Sequence, residues 1–134
     1  MRGFKLHCRT IHALVIHPAL NVEEMVESLP LPAYVCARST RKLVATNQLF
    51  RRVMGYTAEE LAELRLDDFR APEEITLLME SLRRLGGGTV QQRCRTKDGR
   101  ILRVRVRYQD INLFQNETVV RDARFVVLTN VRAS

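Results

Sequence analysis

The chain has 134 residues, 46% of them hydrophobic and 6% aromatic, and carries a formal net charge of +7. That length suits one compact domain able to bury a core, and no apolar run approaches the roughly 18 residues a membrane-spanning helix needs. Three cysteines, at 8, 36 and 94, are an odd number and make no disulfide framework, so a reducing cytoplasm is the expected setting.

Residues 1–20 form a basic extension without an acidic side chain. Its apolar stretch Ala13 to Ile16 is too short for the core of a signal peptide. Cys8, His7, His12 and His17 are residue types that suit zinc, but their spacing lacks the compact ligand pairs of a structural site, and no metal is expected. Asn21 then caps an amphipathic helix over 21–29. Val22, Met25, Val26 and Leu29 share one face of it, and Glu23, Glu24 and Glu27 lie off that face. Such a stripe needs a surface to cover, so it is expected to form a homodimer contact or else to fold back on the chain's own sheet. Leu29-Pro30-Leu31-Pro32 stops the helix.

Strand-like runs follow at Ala33 to Arg38 and Leu43 to Thr46. A short helix opens at Asn47 and ends in Gly55-Tyr56. A second begins at once, with Thr57 and Glu60 at capping-box spacing. Helices this short need a sheet to lie on. A longer helix is predicted over Pro72 to Leu85, with Glu73 and Glu74 at its positive end and Arg83 and Arg84 at its negative end. Ile75, Leu78, Met79 and Leu82 form its apolar face, and Gly86-Gly87-Gly88 ends it.

The remainder reads as a β-meander whose register follows from side-chain parity. A two-residue turn at Asp98-Gly99 would set Arg95 opposite Leu102, mixing the faces. A three-residue loop, Lys97-Asp98-Gly99 with Gly99 left-handed, pairs Arg95 with Ile101 and sorts them. Val90, Gln92 and Cys94 then share a face with Leu102, Val104 and Val106, while Gln91, Arg93 and Arg95 share the other with Arg103, Arg105 and Arg107. The last strand is expected over Arg124 to Val131, apolar on both sides, as suits a central strand. Like charges on neighbouring strands repel, so the arginine face is expected to be solvated or to meet an anionic neighbour, with Glu23, Glu24 and Glu27 as the nearest candidates.

In this order, Asn47, Gly55-Tyr56-Thr57, Glu59-Glu60-Leu61 and Lys97-Asp98-Gly99-Arg100 resemble the motifs of the PAS family, sensory and protein-interaction modules of signalling proteins. The resemblance runs from about Leu29 to Arg132. It departs at Ser39-Thr40-Arg41-Lys42, where D-x-x-G is common, and at Thr129-Asn130-Val131-Arg132, where the family often closes on Asp-Ile-Thr. It implies an α+β fold, with a five-stranded antiparallel sheet in the order 2-1-5-4-3, short helices and one long helix on one face, and the amphipathic helix in addition. Residues 30–132 would be the PAS domain, 21–29 its cap and 1–20 an extension.

The resemblance also implies a ligand cavity between the sheet's apolar face and the long helix, with Tyr34, Cys36, Phe69, Ile75, Leu78, Met79, Leu102, Val104 and Phe125 as candidate lining. Each serves equally as a core residue. The three histidines all precede this region, so haem held by a core imidazole is not expected. Leu66-Asp67-Asp68-Phe69-Arg70 lacks the cysteine that light-oxygen-voltage relatives carry beside the short helix before the long one, so a flavin adduct is not expected either. The expected function is a cytoplasmic, non-catalytic sensory or dimerisation module whose output domain is absent from this chain. Two alternatives stand beside it. Asp110, the acidic residue on the apolar phase of its strand, would serve a small cone-shaped enzyme or carrier, and the basic stripe would serve a nucleic-acid-binding module.

Overall fold

The computed structural model describes the backbone of residues 14–16, 21–84, 86–115 and 118–133, and the side chains of 21–84, 86–112 and 122–133. Strand β1 is Leu14–Ile16, followed by helix α1, Val22–Glu27, and strands β2, Ala33–Ala37, and β3, Leu43–Thr46. Helices α2, Gln48–Met54, and α3, Ala58–Ala62, lead to two 3-10 turns at Leu66–Phe69 and Pro72–Glu74. Helix α4, Ile75–Arg83, is followed by β4, Gly87–Arg95, β5, Ile101–Gln115, and β6, Thr118–Ala133.

The sheet runs β3-β2-β6-β5-β4, which is the order 2-1-5-4-3 counted from β2, and every pairing along this path is antiparallel. β1 adds a short parallel strand to β5, pairing Leu14 to Ile16 with Ile111 to Leu113, beyond the stretch that β4 occupies. The hairpin register is the expected one: Arg95 pairs with Ile101 and Cys94 with Leu102. Gly99 closes the loop at φ +90 and donates its N–H to the Thr96 carbonyl, a conformation a residue without Cβ adopts freely.

Two local signals produce the short helices. Asn47 caps α2, its Oδ1 accepting from Phe50 N at 2.9 Å, and Thr57 and Glu60 exchange both bonds of a capping box at the start of α3. The predicted helix over Pro72 to Leu85 is shorter and divided. Pro72–Glu74 is a separate 3-10 turn, because Glu74 reaches sideways to accept from Arg93 N at 3.1 Å while Glu73 pairs with the Arg93 guanidinium at 2.8 Å. The glycines after α4 belong largely to β4 instead of a loop. A Cβ on Gly87 would lie 2.9 Å from the Tyr108 carbonyl oxygen, so β4 begins where only glycine fits.

Each face of the sheet has its own core. On the inner face, Tyr34, Cys36, Leu102, Val104, Val106, Val126 and Leu128 pack against Phe50, Met54, Phe69, Leu78 and Leu82. On the outer face, Val22, Met25 and Val26 of α1 pack against Ala33, Val35, Ala45, Ile111, Ala123 and Phe125, with Leu29 partly buried beside them. The apolar stripe of α1 is thus covered by the chain's own sheet. α1 lies across β2 and β3, which corrects the expected pairing of its glutamates with the arginine face. Glu27 instead accepts from Gln48 N at 2.6 Å and pairs with Arg51 at 3.0 Å, and Arg93 is taken by Glu73 and Glu74. Arg103, Arg105 and Arg107 stay exposed on the uncovered half of that face.

Candidate functional site around Arg70

Arg70 follows the 3-10 turn Leu66–Phe69 with extended backbone, where a single β-bridge ties it to Cys94 of β4. That bridge turns its side chain inward, between the sheet and α4, and leaves it only 5% exposed. Its Nη1 donates to Cys94 Sγ at 3.1 Å, and the Tyr34 phenol lies near enough to feel the charge of the same guanidinium. Among the described residues no carboxylate comes within salt-bridge distance of Arg70. Glu74, the acidic group whose charge reaches it, is already engaged by Arg93.

Burial pushes the Cys36 thiol up to about 12, and burial also raises Cys94 and Tyr34. All three are neutral at physiological pH, so nothing in this set cancels the cation. Two small cavities of about 10 and 20 Å³ open here and share Tyr34, Leu66, Arg70, Gln92 and Val106 as walls. Gln92 lines both, and its Oε1 is buried with no hydrogen-bond partner among the described residues. Phe50 and Phe69 close the aromatic side, the Tyr34 and Phe50 rings 5.0 Å apart and the Phe50 and Phe69 rings 6.0 Å apart.

A second buried arginine on the same face is fully neutralised. Arg124 Nε donates to Asp110 Oδ1 at 2.6 Å and its Nη2 to Oδ2 at 3.2 Å, while Gly86 N donates to Oδ2 at 2.9 Å. The same guanidinium bonds Ser81 Oγ and the Arg84 carbonyl and lies 4.3 Å above the Tyr108 ring. Asp110 keeps its inner phase, since the register shift falls one residue later, between Ile111 and Leu113. It is therefore a structural anion clamping α4 to the sheet, with Arg38 a further 3.7 Å away.

The structure brings Tyr34, Cys36, Phe69 and Leu78 together as cavity walls. Leu102 and Val104 are core residues of the same face, outside those walls. Ile75 is half-buried at the start of α4, and Met79 borders a separate surface groove with Arg38 and Asp122. Phe125 corrects the expectation: it packs on the outer face beneath α1, because its parity on β6 is opposite to that of Val126 and Leu128. Arg70 and Gln92 were missed as site residues. Gln92 was legible as a polar residue on the apolar phase of β4, whereas the inward turn of Arg70 depends on a tertiary bridge that no spacing records. Cys8, His7, His12 and His17 lie outside the described residues, among which no cluster of three metal-ligating side chains occurs. No helix among the described residues is long and apolar enough to cross a membrane.

A sheet in this order, flanked on one face by short helices and a longer one that enclose a cavity, defines a PAS-type sensory module. The sequence profile described as the PAS fold matches residues 43–124, and the chain belongs to that family. No curated protein sequence matches it. Among solved structures, a PAS domain from a two-component sensor histidine kinase superposes with a TM-score of 0.62 at 19% identity, covering 84% of this chain and 93% of that one. The PAS domain of an HTR-like protein from Haloarcula marismortui gives 0.60 at 16%, covering 84% and 88%. A LOV domain from an Erythrobacter litoralis blue-light activated histidine kinase gives 0.62 at 14%, covering 79% and 99%. At such identities the likeness is one of fold.

Proposed function

We propose that this chain is a non-catalytic PAS sensory module of a bacterial-type signalling or transcription-regulatory protein, working in the cytoplasm as a homodimer and controlling a separate output domain. The observation that carries the reading is the state of the interior. Its buried acidic side chain, Asp110, is held by Arg124 and Gly86 N and is not free for proton transfer, while beside a cavity Arg70 has no carboxylate partner and Gln92 Oε1 no hydrogen-bond partner among the described residues. That combination favours binding over turnover. α1 transmits, since it rests on the outer face of the same strands whose inner face lines the cavity. Its stripe is already buried, so the dimer contact uses another surface.

The test is a small-molecule screen by thermal shift, followed by hydrogen exchange on each compound that binds. Expected is altered amide protection in α4 and, across the sheet, in α1, with no compound converted. Binding that leaves α1 unchanged, or turnover of a bound compound, would overturn the reading. Light scattering of the purified chain reports the dimer separately.

A further inference from the structure

Among the described residues two buried arginines face the same interior, and only one of them has an anion. Arg124 is 4% exposed and grips Asp110 with two nitrogens; Arg70 is 5% exposed and meets a thiol and a phenol. An ionised guanidinium cannot shed its proton, and a buried charge without a counter-charge is costly. The neutral partners around it do not neutralise it: burial raises both Cys94 and Tyr34, so neither supplies a thiolate or phenolate. Gln92 adds an independent demand, since the buried Oε1 at the same cavities lacks a donor.

We propose that the cavity at Arg70 binds a small monovalent oxyanion carrying one hydroxyl, of the hydrogencarbonate class, with its oxygens on Arg70 and Tyr34 and its hydroxyl donated to Gln92. This deepens the sensory reading above and rests on it. The cavities, about 10 and 20 Å³ and lined in common by five residues, each have room for about one water, so a ligand of four heavy atoms has to span both and nothing much larger is admitted. The planar fork of a guanidinium matches an oxyanion edge better than a spherical halide. A ligand of this size binds with a Kd on the order of 0.1–1 mM.

The probes are sodium hydrogencarbonate, formate, nitrate and chloride at constant pH and ionic strength, with formamide as the uncharged analogue. They are titrated into the full chain, with thermal shift and the carbon-13 linewidth of labelled hydrogencarbonate and formate as readouts. Expected is saturable binding of the oxyanions, tightest for hydrogencarbonate and weakest for chloride. Arg70→Met should abolish it, and Gln92→Leu, which leaves the charge in place, should remove the preference of hydrogencarbonate over formate by about tenfold in Kd, one lost hydrogen bond to a charged ligand. No saturation by any of the anions in the wild-type chain overturns the proposal. So does binding that persists in Arg70→Met, or a preference unchanged in Gln92→Leu. Formamide binding without any anion binding likewise overturns the proposal and leaves the sensory reading standing.

Discussion

Arg124 and Asp110 meet through two hydrogen bonds, of 2.6 and 3.2 Å, with both side chains almost wholly buried. The arginine's Nη1 donates to Ser81 Oγ and its Nη2 also to the Arg84 carbonyl, so the pair joins β5 and β6 to the end of α4. Removing one partner leaves the other charged and alone. Asp110→Ala is expected to cost about 3–5 kcal/mol in urea unfolding, whereas an apolar double replacement, Asp110→Leu with Arg124→Met, should cost less than the sum of the two single changes. Additive single and double effects would show that the two side chains do not depend on each other.

Asn47 satisfies four partners at once. Its Oδ1 accepts from Ala33 N and Phe50 N, and its Nδ2 donates to the Val26 and Leu31 carbonyls. One side chain therefore caps α2 and fastens the end of α1 to the start of β2. An ordinary cap is worth about 1 kcal/mol, and a stranded buried polar group adds roughly 1–3 more. Asn47→Ala should thus lose well over about 2 kcal/mol, and Asn47→Asp, which keeps the acceptor but sets an oxygen against the Val26 and Leu31 carbonyls, should lose at least as much. A clearly smaller loss for Asn47→Asp in urea unfolding would mean that the two donated bonds contribute little.

Glu27 supplies a pH dependence. The Gln48 backbone N–H and then the Arg51 guanidinium hold its carboxyl below the usual 4.5. A depressed folded-state value gives stability that is present above the unfolded pKa and is lost as pH falls through the folded one. Wild type and Glu27→Gln should therefore differ above the usual carboxylate range and converge as the pH falls through the depressed folded-state value. The Glu27 side chain is 45% exposed, so the gap is under about 1 kcal/mol and narrows with salt. Parallel curves across this range would remove Glu27 as the titrating anchor.

Cys36 and Cys94 are both buried, and desolvation raises both thiols. In a Cys8→Ser background they should react with a thiol reagent at about pH 8 only as fast as the protein opens, and both should react at once in denaturant. Prompt modification of either thiol in the folded chain would mean that the interior is open. Slowed modification of Cys94 in the presence of formate would instead report an occupied neighbour at Arg70.

Much of this fold was legible because it rests on local chemistry. The Asn47 cap and the Thr57 and Glu60 exchange involve residues three apart, and the Lys97-Asp98-Gly99 loop fixes the parity of everything paired across it. Asp110 was legible as an acidic residue on the inner phase for the same reason. Its partner was not, because which residue of β6 faces it is set by the whole β5–β6 register, including the shift between Arg105 and Val106. Phe125 was misplaced because four consecutive apolar residues, Phe125 to Leu128, give parity nothing to sort. The destination of α1 was open for a third reason: an apolar stripe states that it must be covered, and only the assembled sheet states by what.

The strand β2 carries a consequence for how freely this protein can change. Tyr34 and Cys36 belong to the inner core and Ala33 and Val35 to the outer one, all four buried. The two compartments are separated there by one peptide unit, about 3.3 Å of strand. A larger side chain at either position moves backbone that both cores share. Retuning the cavity through β2 therefore disturbs the seat of α1 as well, so variants with altered ligand preference are expected to arise on α4 and β4, where each substitution is felt in a single compartment, with β2 and β6, whose buried residues alternate between the two cores, the least tolerant strands.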